Sequence, residues 1–380
     1  MSFKVRKACL PHQCHATLRD VMHKPLQQES ARSRLEALVR ALKVPGIQYL
    51  ILDGERILFE YSGGWADIAG RRPMTSSTTL MAYSMSKTIT ALAVLQLVES
   101  RKLRLDGTID DFVPGQPYGA GITIRHLLTH TAGIPNPIPL SWVHSPSMHG
   151  QFDERHELES VLRKFPKPSR PPGLKFDYSN IGYWLLGPVV EQASGEKFTD
   201  YIRTHILTPL GIDSTEVDYR IAEPTAHAKG YLEKYSVMNL IKRFVVAPEW
   251  IGSYEDRWLH INDHYLNGPA FGGLVGTARG FGKFLQDQLG ARSKILDGST
   301  RELMYGSQRT DSGSPIPMSL GWHIASRSDR PFCYKEGGGG GFHCMMRVYR
   351  NSGLASVVMT NATRFDVRGL MDSIDREWLA

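Results

Sequence analysis

Only four cysteines occur in 380 residues, Cys9, Cys14, Cys333 and Cys344, too few to staple a chain of this length. A disulfide scaffold is therefore excluded, and free or buried thiols are expected. No window approaches the ~18 consecutive apolar residues of a membrane span. The opening residues "MSFKVRKACLPHQCHATLRD" carry positive charge with no apolar run behind them, so a cytoplasmic chain with no membrane partner is the expectation. Blocks of like charge are also missing. The formal net charge is +7, but the lysines and arginines are scattered, which argues against nucleic acid as a partner. Metal-ligand patterns are just as sparse. "CLPHQCH" puts His12 and His15 beside Cys9 and Cys14, yet no second pair follows at finger spacing, so no metal site is expected and residues 1–30 read as an N-terminal extension.

The chain has ordinary globular composition, 41% hydrophobic and 22% charged, enough for two domains or one large core. "ESARSRLEALVRAL" has apolar residues at helical spacing, and "VPGIQYLILDGERILFEYSGGWAD" then gives two β-rich runs meeting at Asp53 and Gly54, a hairpin. From residue 84 to about 270 the pattern is mostly helical, broken by proline- and glycine-rich loops such as "HTAGIPNPIPLSWVHSPSMHG". The last hundred residues return to strands, "PMSLGWHIAS", "FCYKEGGGGGF", "HCMMRVYR" and "LASVVMT", and close on the helix "RFDVRGLMDSIDREWL". This order predicts an α+β fold: a mainly antiparallel sheet built from both chain ends and flanked by helices, with a mostly helical second lobe. The expected boundaries are 31–83 with 272–380 for the sheet domain and 84–271 for the helical one, and the cleft between them is the expected site.

At the head of the apolar segment "AYSMSKTITALAVLQLVES", Ser84 precedes Lys87 by three residues. On a helix such neighbours have Cβ atoms about 5–6 Å apart, so the amine reaches the hydroxyl. The helix start also offers unpaired N–H groups for a developing oxyanion, and burial lowers the proton affinity of the lysine. Ser-x-x-Lys is a loose pattern. A second copy, Ser194 to Lys197, contains Gly195 and reads as the end of one helix and the start of the next. Tyr178 and Asn180 form Tyr-x-Asn before another apolar helix; Tyr265 with Asn267 and Tyr349 with Asn351 repeat the spacing, the last as a strand entering a turn. Lys335, Glu336 and Gly337 make up the single Lys-x-Gly, followed by glycines that read either as a flexible turn or as a backbone open to close approach.

These three motifs, in this order and context, resemble the serine β-lactamase and penicillin-binding-protein superfamily, in particular its class C branch and the family VIII carboxylesterases. The similarity extends through "LLTHTAGIP", "PPGLKFDYSNIGYWLLGPVVEQASG", "ILTPLGI" and "GGLVGTARGFGKF". The resemblance implies Ser84 as the nucleophile of an acyl-enzyme, with Lys87 and Tyr178 sharing the proton transfers. It implies Asn180 and Lys335 as orienting and substrate-binding groups, Gly337 as part of the binding strand, and the backbone N–H groups of Ser84 and Gly338 as the oxyanion hole. No metal or organic cofactor is called for. Gly-x-Ser-x-Gly is absent, which argues against an α/β-hydrolase elbow. Glu336 stands where β-lactamases usually carry a small hydroxyl residue. A carboxylate in the cleft repels a substrate carboxylate, unless strand alternation turns it away. An ester is therefore the expected substrate, with a β-lactamase or D-alanyl-D-alanine peptidase as the rival and a silent acyl- or peptide-binding protein as the alternative of another class. The loop from 134 to 150 and the segment around Trp250 and Tyr254 are expected to shape the pocket, and the oligomeric state is left open.

Overall fold

A computed structural model describes residues 18–137, 141–240, 247–327 and 330–379, with side chains from residue 25. The cysteine–histidine cluster at 9–15 lies outside the described residues. Helix α1, Leu18–Arg40, runs across the boundary expected at residue 30 and leads into the hairpin of β1, Gly46–Asp53, and β2, Ile57–Asp67. The hairpin turn is held by Asp53, whose Oδ1 accepts from the N–H groups of Glu55 and Arg56, both at 2.8 Å.

The main sheet unites the two chain ends. Its other strands are β3, Arg72–Pro73, β4, His323–Arg327, β5, Arg330–Gly339, β6, Phe342–Tyr349, and β7, Leu354–Thr360, in the spatial order β4-β5-β6-β7-β1-β2-β3. The paired strands run antiparallel, and β1 against β7 (Ile47 opposite Thr360, Asp53 opposite Leu354) closes the gap between the termini. Alternation along β1 assigns the faces. Leu50 and Leu52 join the large interior core; Ile47, Tyr49 and Ile51 join a second cluster on the outer face. Both faces are covered, so the strand reads as a nearly continuous apolar run.

Helix α2, Ser86–Glu99, is the centre of the interior core. Eleven of its fourteen residues are buried, so it is apolar on every side and has no solvent face to define an amphipathic stripe. Helix α3, Ala278–Leu289, covers the inner face of β1 and β7 and starts at Thr277, whose side chain accepts from the Gly280 N–H. Gln48 on β1 ties this junction together by accepting from Ala278 N and donating to the carbonyls of Thr75 and Thr78.

The outer face is covered by α1 and by α4, Val367–Trp378. Buried Val367, Leu370, Met371 and Ile374 repeat at helical spacing, and between them and the sheet lies the carboxylate of Asp375. It accepts from Tyr49 Oη at 2.5 Å, Tyr349 Oη at 2.7 Å and Ser356 Oγ at 2.7 Å, so strands β1, β6 and β7 are all pinned to one helix. Replacing Asp375 by Ala leaves three buried hydroxyls without their acceptor. The expected cost is about 2–4 kcal/mol, read as a fall in the urea midpoint with no change in slope.

Candidate active site

Ser84 lies in a single 3-10 turn, Tyr83–Met85, that feeds directly into α2. Tyr83 is held at φ +44°, a left-handed backbone that a bulky side chain adopts only when its surroundings enforce it. Here the enforcement comes from the segment after residue 269. Ala82 N donates to Leu274 O at 2.9 Å, Leu274 N donates to Ser86 Oγ at 3.0 Å, and Thr90 Oγ1 donates to Ala270 O at 2.7 Å.

The three motifs converge on this turn. Lys87 Nζ donates to Ser84 Oγ at 3.0 Å, to Asn180 Oδ1 at 2.8 Å and to the Phe271 carbonyl at 2.6 Å. Ser84 Oγ also shares a 2.9 Å hydrogen bond with the Tyr178 hydroxyl. Tyr178 and Asn180 flank Ser179, the N-cap of the short helix Asn180–Trp184, whose Oγ accepts from Gly182 N. His130, in "LLTHTAGIP", fixes that segment. Its carbonyl accepts from Asp177 N at 2.7 Å, its ring Nδ1 accepts from Ser179 N at 3.1 Å, and its ring packs on Tyr178 with centroids 4.2 Å apart. His323, the first residue of β4, stacks on Tyr178 from 6.2 Å. Nothing in the local sequence around either histidine marks it as a support for Tyr178.

Lys335 on β5 is fully buried, with its Nζ over the Tyr178 ring at 5.5 Å. Among the described residues this amine has no hydrogen-bond partner, so it meets Tyr178 through the ring face rather than through the hydroxyl. Burial pulls its proton affinity down to about 7. Lys87 lies well below the usual lysine range, first because it is buried and then because Lys335 is close. Burial pushes the Tyr178 phenol up, which keeps it protonated, although its bond with Ser84 opposes this.

The glycines of β5 press on the Ser84 turn. A Cβ on Gly337 would sit 2.2 Å from the Ala82 carbonyl and 3.1 Å from Ser84 N, and one on Gly339 would enter the Tyr83 ring. Gly338, Gly339 and Gly340 line an open cavity of ≈ 280 Å³ next to Ser84. Close approach is therefore used first by the protein's own Ser84 turn. Asn180, Trp250, Ile261, His264, Leu266 and Phe271 complete much of its wall. Val143 comes from the expected proline-rich loop, while Tyr254 points elsewhere and bonds Asn239.

Glu336 requires a correction. It faces the outer side of the sheet, opposite Met345 in the strand pairing, and accepts from His343 Nε2 at 2.8 Å and Arg368 Nε at 2.5 Å. Burial raises its proton affinity, but these two donors outweigh that and hold the carboxyl below its usual range. The period of two in β5 puts Lys335 and Glu336 on opposite faces, so the repulsion expected from Glu336 in the cleft does not arise. The second Ser-x-x-Lys is a helix junction, with Gly195 at φ +80° between Ser194 and Lys197. Asn267 bonds His144 at 2.9 Å, away from Ser84.

The pattern defining the Beta-lactamase family matches residues 31–376. The chain belongs to the Beta-lactamase family. Among its relatives, Penicillin-binding protein 4* of Bacillus subtilis (strain 168) is 27% identical over 82% of this chain and 67% of its own length. The chain spans only 34% of the length of another curated relative. The fold of this family recurs in D-amino acid amidase from Ochrobactrum anthropi SV3, solved with D-phenylalanine, at 22% identity and TM-score 0.76 over 93% of this chain and 98% of that one. It recurs also in EstCE1, described as a hydrolase with promiscuous acyltransferase activity, at 20% identity and TM-score 0.73 over 94% and 100%. Among the described residues, no helix of this family member is long and apolar enough to cross a membrane.

Two outcomes test the site. Gly337→Ala should remove activity and lower stability, because a methyl group cannot share space with the Ala82 carbonyl; thermal unfolding and an ester assay read both effects. Lys335→Met should stabilise the fold. The native state holds the Lys335 proton less tightly than the unfolded chain, so the penalty is fully present below about pH 7 and fades as pH rises toward the ordinary lysine value. The gain should therefore be larger at pH 6 than at pH 10, with a ceiling of about 5 kcal/mol.

Proposed function

We propose that this chain is a serine hydrolase that cleaves neutral carboxylic esters through an acyl-enzyme on Ser84. The observation that carries this reading is the set of acceptors around Lys87. Asn180 Oδ1 and the Phe271 carbonyl can only accept, so they claim two amine hydrogens of Lys87 in either protonation state. When the amine is neutral, its lone pair is left facing Ser84 Oγ, the position a general base requires.

Ser84 Oγ attacks the ester carbonyl while its proton passes to Lys87. The backbone N–H groups of Ser84 and Gly338 stabilise the oxyanion. Tyr178, kept as a neutral phenol, donates to the departing alkoxide and is reprotonated from Lys87. Water then enters by the reverse relay, attacks the acyl carbon and restores Ser84. The preference for esters rests on the cavity wall, where none of the described residues is a lysine, arginine, aspartate or glutamate that would pair with or repel a charged acyl group. The similarity in fold to EstCE1 is compatible with this reading. The similarity to D-amino acid amidase favours a second one, amide cleavage by the same residues.

Ser84→Ala should lower kcat/KM for p-nitrophenyl butyrate by at least about a thousandfold and abolish labelling by a fluorophosphonate. A higher kcat/KM on a chromogenic cephalosporin than on the ester would replace the ester reading with a β-lactamase. Activity should rise with pH as Lys87 loses its proton, on a limb below the ordinary lysine value. Lys335→Met should move that limb upward by removing the neighbouring cation.

A further inference from the structure

One part of the cavity wall lacks a proton. His264 Nδ1 lies 2.9 Å from the Asn262 carbonyl, His264 Nε2 lies 3.1 Å from Tyr83 Oη, and Tyr83 Oη lies 2.6 Å from the Gly340 carbonyl. Both ends of this chain are carbonyls, which only accept. Three contacts therefore need three hydrogens. A neutral imidazole supplies one and the phenol supplies one, so two protons serve three contacts. Switching the imidazole tautomer or turning the phenol moves the gap without closing it. An imidazolium would close it, but burial lowers the proton affinity of His264 and outweighs the favourable Asn262 bond and the nearby Asp263. The gap is also accessible, since Tyr83, His264 and Gly340 line the same cavity as Ser84.

We propose that His264, acting with Tyr83, is a specificity-determining residue that selects acyl groups carrying a neutral hydrogen-bond donor, such as a hydroxyacyl group. The inference rests on the ester-hydrolase reading and deepens it. With such an acyl group bound, Tyr83 turns its proton to His264 Nε2 and the ligand hydroxyl donates to the Gly340 carbonyl, so every contact is satisfied. An acyl group without a donor strands one acceptor on the cavity wall, and a site built for a hydrogen bond discriminates against the analogue that lacks it. A cationic aminoacyl group is disfavoured, because among the described residues no carboxylate lines the cavity to meet its charge.

The test compares methyl 3-hydroxybutanoate with methyl 3-methylbutanoate, which differ by hydroxyl against methyl at one position. The ratio of their kcat/KM values should be at least about ten in the wild-type chain. His264→Phe leaves the Tyr83 proton permanently on Gly340, and the ratio should fall to within about threefold of one. His264→Gln supplies its own donor to Tyr83 and should do the same, so the outcome does not depend on one variant folding. Tyr83→Phe strands the Gly340 carbonyl and should keep or widen the preference. A wild-type ratio near one, or a ratio unchanged in both His264 variants, overturns the proposal. Calorimetric titration of the two esters into Ser84→Ala gives the same comparison without hydrolysis. A tenfold binding preference in a chain that cleaves no ester would uphold the selection and reject the hydrolase. Ser84 labelling with no preference would do the reverse.

Discussion

The arrangement depends on a buried amine surrounded by acceptors. Lys87 has no solvent exposure, and its three contacts come from three separated stretches: Ser84 one turn away, Asn180 at a helix start, and the Phe271 carbonyl in the segment joined to the head of α2. Burying an ammonium costs several kcal/mol unless it is compensated or loses its proton. Both routes are present here, since the acceptors compensate the charged form while desolvation and Lys335 favour the neutral one. Under the proposed mechanism, this one nitrogen takes up a proton at one step and releases it at the next.

The sheet contributes rigidity. Strand β5 lies between β4 and β6 in the sheet and passes beside the Ser84 turn with only a hydrogen atom at Gly337 for clearance. On its far side, Glu336 links the same strand to α4 through Arg368 and to β6 through His343. A strand fixed on both faces holds its backbone in place, as the oxyanion donor proposed at Gly338 would require.

Much of this was legible from residue order. The hairpin at Asp53 and Gly54, the strands of the last hundred residues and the convergence of Ser84, Lys87, Tyr178, Asn180 and Lys335 follow from periodicity and from motifs that resemble a known family. The face of Glu336 was not, because alternation gives two options and only strand register chooses between them. Nor were the supports of Tyr178. His130 and His323 are almost two hundred residues apart and meet only through folding, and burial keeps both imidazoles well below their ordinary proton affinity. The Phe271 carbonyl was hidden for a further reason: a backbone acceptor carries no side-chain signature at all.

The cavity beside Ser84 has walls of a different character from its floor. Its floor belongs to the turn that heads the core helix and to the main sheet, whereas Val143, Trp250, Ile261 and Leu266 lie on short strands or turns between residues 143 and 266. Such pieces can be exchanged or lengthened at little cost to the core. Under the proposed function, bond cleavage and substrate range are encoded in separable parts of the chain, which leaves one fixed apparatus free to acquire new clients by remodelling its margins.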